Sequence, residues 1–170
     1  MTERIAADAW QQHKGHVARY RYAAWHVRPG ETVNDIACGV GYASGFFTRG
    51  PYRGYDRPGA PDPRFPGAFY AADLDDPGWE PAVADVTVCF ETLEHVKDPA
   101  RLAQVIARTT RRAIVVSVPV VPTKHVNPYH LHDFEREDIP PLFYGFKIAD
   151  EWPQPEELAH VWLFERDPHA

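Results

Sequence analysis

Four short stretches, each closing an apolar run, hold the residues of this chain that could do chemistry. The first is Asp35–Tyr42, DIACGVGY, with glycines at Gly39 and Gly41. An acid ends the run and small residues follow, which lets a ligand approach the backbone closely. A helix expected directly afterwards, over Tyr42–Thr48, would offer unpaired N–H groups at its start. An ordinary tight turn is the plainer alternative. A nicotinamide-binding fingerprint fits less well, because Ser44 stands where that pattern wants Gly or Ala. The second is Asp56, 21 residues after Asp35. A carboxylate there can accept from both hydroxyls of a ribose, each bond worth roughly 1.5–3 kcal/mol; the alternative is a solvated loop aspartate. The third is Asp73 with Leu74, suited to an adenine amine and ring face, or else a surface charge in the acidic run Asp73–Asp76. The fourth is Phe90–Pro99, FETLEHVKDP, which follows the run that reads as the most buried strand.

These stretches need a scaffold that brings them together, and the hydrophobic pattern supplies one. A helix is expected over Thr2–Val27, with apolar and aromatic residues at helical spacing through Trp10, Val17, Tyr20, Ala24 and Val27. Strands are expected at Thr32–Ile36, Tyr52–Tyr55, Ala68–Ala71, Val83–Phe90, Ala113–Val118, Phe146–Ala149 and His160–Glu165. Helices are expected at Pro99–Thr110 and, as a short turn, at Phe134–Asp138. The run Val83–Phe90 has the continuous apolar character of a central parallel strand. Strands alternating with helices imply an α/β, Rossmann-like, mostly parallel sheet with right-handed crossovers. Ligands on such sheets bind at the C-terminal strand ends, where Asp35–Gly41, Asp56, Asp73 and Phe90–His95 all fall.

The bulk properties fit one domain over residues 1–170, with 44% hydrophobic and 25% charged residues. The formal net charge of −6 argues against broad attraction to nucleic acid. Basic Lys14, Arg19, Arg21 and Arg28 near the N-terminus read as a solvated helix face or part of a lid. No apolar run is long enough to span a bilayer, and the N-terminal residues lack the apolar core of an export signal. Cys38 and Cys89 lie within apolar runs, which suits a reducing compartment and a cytoplasmic location.

DIACGVGYAS, YRGYD, AADLDD, DVTVCFETLEHVKDP and SVPV with NPYHLHDFEREDI, in this order, resemble the class I S-adenosylmethionine-dependent methyltransferases. The likeness is greatest to the type-11, ubiquinone-biosynthesis-type group, and it runs from about residue 13 to 165. The resemblance implies a seven-stranded sheet of order 3-2-1-4-5-7-6 with the last strand antiparallel. It implies S-adenosylmethionine as cofactor. Asp35, Ala37, Gly39 and Gly41 would surround its methionine part, Asp56 its ribose, Asp73 and Leu74 its adenine, and Phe90 and Glu91 its methyl side. Arg19 and Tyr20 would close over it from an N-terminal helical lid, residues 1–28.

Three departures stand out. Ala37 occupies the place of the first loop glycine. Asn34 replaces the usual apolar residue before Asp35. The stretch Arg57–Gly67, RPGAPDPRFPG, cannot form the helix that the group places between strands 2 and 3. One sheet face is then expected to lack a covering element, which motivates a possible homodimer.

Methyl transfer to oxygen usually needs a base. His130 is the first candidate, then His95, with Glu91 and His132 behind them. His125, His130, His132 and Asp133 match no standard zinc spacing, so no metal is expected. A small-molecule or sugar acceptor is the leading reading. A cofactor-binding module acting through a partner is the second. A nucleic-acid methyltransferase is the third, although FETL from Phe90 lacks the Pro-Pro-aromatic pattern of exocyclic-amine DNA enzymes.

Overall fold

The computed structural model describes residues 5–169. Seven strands form one sheet: β1 (Val33–Ile36), β2 (Tyr52–Asp56), β3 (Ala68–Ala71), β4 (Ala84–Phe90), β5 (Thr110–Pro119), β6 (Phe146–Gln154) and β7 (Ala159–Arg166). Their order is β3-β2-β1-β4-β5-β7-β6. The pairings β3·β2, β2·β1, β1·β4 and β4·β5 are parallel, and β7 runs antiparallel to both β5 and β6. The α/β class, the strand order and the antiparallel last strand are therefore as expected.

Side chains alternate between the two sheet faces. Val33, Val86, Val88, Val115, Val161 and Leu163 face one layer, built from α1 (Lys14–Trp25) through Tyr20, Ala23 and Val27. Ile36, Cys89, Ile114, Val116, Trp162 and Phe164 face the other, built from α2 (Pro99–Thr109) through Leu102, Ala103 and Ile106. Asp98 caps α2, its carboxylate accepting from the Arg101 N–H at 2.9 Å, with Pro99 in the first turn.

Helices are fewer than the pattern predicts. Among the described residues α1 is a 12-residue helix preceded by a single 3-10 turn, Trp10–Gln12, so the expected helix over Thr2–Val27 is shortened at its start. Thr2–Arg4 lie outside the described residues. The expected helix over Tyr42–Thr48 is only a 3-10 turn, Tyr42–Gly45. Gly50 and Pro51 follow closely, and the chain must already turn back into β2. No ready-made helix terminus therefore faces the first loop.

Between β2 and β3 there is no helix, as the prolines require. The face is nevertheless partly covered from within the chain. Phe65 of the proline-rich link and Phe69 of β3 pack against the α1-side core. The Phe69 ring lies over Gly54, where an added Cβ would meet it at 2.7 Å. Two partly buried aromatic rings thus lie on the face whose openness motivated a homodimer.

Asn34 also has a local explanation. Its side-chain amide donates to the Ala82 carbonyl at 2.6 Å, fixing the link into β4. β6 extends past the expected Ala149 because a bulge between Ile148 and Asp150 lets the polar continuation stay paired with β7. No helix among the described residues is long and apolar enough to cross a membrane.

Candidate active site

β1, β2 and β4 end at one edge of the sheet, and a cleft of about 980 Å3 opens there. Its lining brings together Tyr20, Ala37, Gly39, Asp56, Asp73, Leu74, Phe90, Glu91, His95 and His130. Ten residues singled out in the sequence thus share one cavity of the size that small ligands occupy. Arg19, Asp35 and Gly41 do not line it.

The reason is different for each of the three. Asp35 is fully buried on the α1 side of β1. Its carboxylate accepts from the Tyr52 hydroxyl at 2.6 Å and the Tyr20 hydroxyl at 3.2 Å. It fixes the floor beneath the loop. Gly41 backs onto the Phe69 ring, with φ +87°. Arg19 is wholly buried behind Glu91. It bonds to Gln154, to the Ser117 hydroxyl at 3.4 Å and to Glu91 Oε1 at 3.1 Å, with Glu157 Oε2 at 3.6 Å. The helix carrying it is a layer of the core, and among the described residues of its region His13, His16 and Tyr20, with Ile5, reach the cleft.

The loop after β1 is held by Asp56. One carboxylate oxygen accepts from the Gly39 N–H and the other from the Arg57 N–H, both at 2.7 Å. A carboxylate has about four lone-pair directions, so capacity remains for ligand hydroxyls. Ala37 sits at φ 62°, a left-handed conformation that costs an L-residue roughly 1–2 kcal/mol. Ala37→Gly is expected to raise unfolding free energy by about 0.5–1 kcal/mol, the relief being partly offset by glycine's greater chain entropy. Urea denaturation of the two proteins measures this; an unchanged or lower midpoint would remove the claim of strain.

Glu91 is likewise left-handed, at φ 48°. Its carboxylate accepts from the Ser117 hydroxyl at 2.7 Å and pairs with Arg19. Burial pushes its carboxyl above the ordinary value, and the Arg19 charge opposes that rise. His16 is held far below the usual imidazole range, to about 3, by burial and then by the charges of Arg19 and His13. It faces the cleft as a neutral ring. Nothing in the sequence marked it except its helical spacing from His13.

Asp35 links this floor to pH. Burial pushes its carboxyl up to about 7, the Tyr52 and Tyr20 hydroxyls opposing and the Asp56 charge adding to the rise. The unfolded value is near 3.9. Between those values the folded state holds a proton that the unfolded state has lost. This group therefore contributes stability at low pH that is lost as pH rises from about 4 to about 7. Asp35→Asn is expected to flatten that part of the profile, so that its melting temperature gains on wild type between pH 5 and pH 8. Parallel profiles for the two proteins would show that Asp35 is not the titrating group.

The remaining candidates separate clearly. His95 and His130 meet with ring centroids 4.6 Å apart. His132 turns away from the cleft, its Nε2 bonding the Val96 carbonyl at 2.9 Å and its ring stacking on Phe134. Asp133 accepts from the Thr123 and Lys124 N–H groups and so shapes the loop. Among the four residues His125, His130, His132 and Asp133, only His130 lines the cleft. Glu94, which no pattern in the sequence distinguishes from its neighbours, does line it and is 1% exposed.

No protein-family model and no curated protein sequence matches this chain. Solved structures do. Magnesium protoporphyrin IX methyltransferase of Synechocystis PCC 6803, with bound SAH, aligns at TM-score 0.67 and 18% identity, over 92% of this chain and 83% of that one. An S-adenosylmethionine dependent methyltransferase of Mesorhizobium loti aligns at 0.67 and 15% identity, over 86% and 95%. A chain of the Haloferax volcanii complex between the Trm112 methyltransferase activator and a methyltransferase aligns at 0.67 and 17% identity, over 92% and 94%. The fold is that of the class I methyltransferases. Within this methyltransferase fold the cleft lies at the strand ends, where ligands of open parallel sheets bind.

Proposed function

We propose that the chain is an S-adenosylmethionine-dependent methyltransferase acting on a small-molecule or sugar acceptor. One observation carries the reading. The loop after β1, Asp56 after β2, Asp73 and Leu74 after β3, and Phe90 and Glu91 after β4 line a single cleft. Fold alone does not fix activity, but a carboxylate, a small-residue loop and an apolar side chain in this order suit a nucleoside joined to an amino acid. Ala37 and Gly39 would receive the methionine part, Asp56 the ribose, and Asp73 with Leu74 the adenine. Tyr20 and Phe90, in edge contact at 4.9 Å, would close the methyl side.

When bound, the cofactor supplies an electrophilic methyl group on a positively charged sulfur. The chain's own part is to hold the acceptor in line with that carbon, an effect that supplies roughly 7–11 kcal/mol in favourable cases. Glu91, fixed by Ser117 and Arg19, presents a carboxylate to the cleft beside Phe90. His95 and His130 stand on the same lining, where an acceptor hydroxyl would give up its proton. Asp73, Asp75, Glu91 and Glu94 make the lining acidic, which with the net charge of −6 disfavours a nucleic-acid acceptor.

The test is a thermal-shift titration with S-adenosylhomocysteine, followed by methyl transfer to a panel of phenols, sugars and amines. Stabilisation and turnover on a hydroxyl or amine acceptor are expected. No shift at millimolar ligand would end the cofactor claim. A second reading is a cofactor-binding subunit that works with a protein partner. It is favoured by the two helix-poor crossovers after β1 and β2 and by the activator named in the Haloferax volcanii complex. Turnover by the isolated chain would dismiss it.

A further inference from the structure

We propose that Glu94, His95 and His130 form a divalent transition-metal site on the cleft wall, with Zn2+ the favoured ion and an acceptor oxygen as its further ligand. Only the acceptor half of this inference rests on the methyl-transfer reading. One ligand atom from each of the three residues lies within 4.8 Å of the other two, and His95 Nε2 is 3.8 Å from Glu94 Oε1. Zinc bonds of roughly 2.0–2.2 Å to nitrogen and oxygen put neighbouring ligand atoms about 3.3 Å apart. Side-chain movement of up to about 1.5 Å closes the difference.

Both imidazoles are set up as metal ligands usually are, with the second ring nitrogen engaged. His95 Nδ1 is 3.1 Å from the Tyr129 carbonyl, so Nδ1 must donate and Nε2 carries the lone pair. His130 Nδ1 is 2.6 Å from the Thr123 hydroxyl, and the tautomer that donates there likewise leaves its lone pair on Nε2. Two strands of backbone are stitched together beneath the site. The Leu131 N–H donates to the Glu94 carbonyl at 2.7 Å, and Asp133 holds Thr123 through its N–H. Glu94 is almost wholly buried, where a bound cation stabilises a carboxylate more than it would in water. Two imidazoles and one carboxylate leave a coordination position open, as catalytic rather than structural zinc sites do.

The chemistry balances without a redox partner. A hydroxyl bound to the ion loses its proton to solvent more readily. The resulting oxygen forms a bond to the methyl carbon while the carbon–sulfur bond breaks, its electron pair passing to sulfur and leaving a neutral thioether. The acceptor class is therefore a hydroxyl compound, phenolic or sugar, in preference to an amine.

Equilibrium dialysis of the chelator-stripped full chain against Zn2+, with no cofactor present, tests the site. One equivalent bound per chain is expected. Glu94→Gln, His95→Ala and His130→Ala are each expected to weaken binding at least about tenfold, and Thr123→Val about 10–100-fold. His125→Ala should bind as wild type does. Circular dichroism checks that each variant is folded, and Co2+ absorption in the visible reports the ligand set on wild type independently of the variants. Failure of wild type to bind, or binding indifferent to all three ligand substitutions, overturns the proposal. Metal binding without any S-adenosylhomocysteine shift would leave the site standing and remove the methyl-transfer reading instead.

Discussion

Arg19→Met is expected to destabilise the fold by about 3–5 kcal/mol, a large part of a small domain's stability. Arg19 is at 0% exposure, yet it joins four parts of the chain. From α1 its guanidinium reaches Glu91 after β4, Ser117 on β5, Gln154 at the end of β6 and Glu157 in the turn before β7. Methionine fills much of the volume but leaves the half-buried Glu91 carboxylate without its cation. The damage should therefore be mostly electrostatic and partly reversible. Glu91→Gln in the Arg19→Met background is expected to recover stability, so that the double variant costs less than the two single changes added together. Urea unfolding of the four proteins gives the coupling. Additive costs would show that the pair is incidental and that Arg19 acts through packing alone.

The largest expected effect on binding is at Asp56. Asp56→Ala removes a carboxylate that secures the Gly39 N–H and, on the proposed reading, both ribose hydroxyls. Two bonds at roughly 1.5–3 kcal/mol each correspond to a loss of at least about 100-fold in affinity for S-adenosylhomocysteine. Asp56→Asn keeps an oxygen for Gly39 but loses the charge, and should fall between wild type and alanine. Calorimetric titration orders the three. An alanine variant binding within threefold of wild type would mean that the ribose is held elsewhere.

The two predictions concern residues that the sequence presented very differently. Asp56 was legible because its position followed from local facts. A short β-rich run ends there, and the end of a parallel strand is where ligands meet such a sheet. Asp73, Leu74, Phe90 and Glu91 were legible for the same reason, and all of them line the cleft. Arg19 was not. Helical spacing shows only which residues share a face of α1, and its neighbours in the sequence suggest a basic exposed surface. Its burial depends on β5, β6 and the turn before β7 arriving around it, Gln154 alone from 135 residues away.

Asp35 shows a similar limit. Its place at the end of β1 was readable, but the direction of its side chain was not. A strand's alternation sends it to the α1 face, where Tyr20 and Tyr52 enclose it. Glu94 and His130 mark the same boundary from the other side, since they are 36 positions apart and meet only because the loop after β5 folds back over the turn after β4.

By itself the sequence determined the order of strands and links, the strand ends that carry polar residues, and the absence of a helix over Arg57–Gly67. Those are matters of short-range pattern: apolar periodicity, glycine and proline. Only the tertiary structure decided that Phe65 and Phe69 pack onto the vacant face, that Tyr42–Gly45 is no more than a turn, and which acids face the cleft and which lie beneath it. Those outcomes depend on packing between segments distant in the chain. Such contacts carry their energy only once the sheet has brought the partners together.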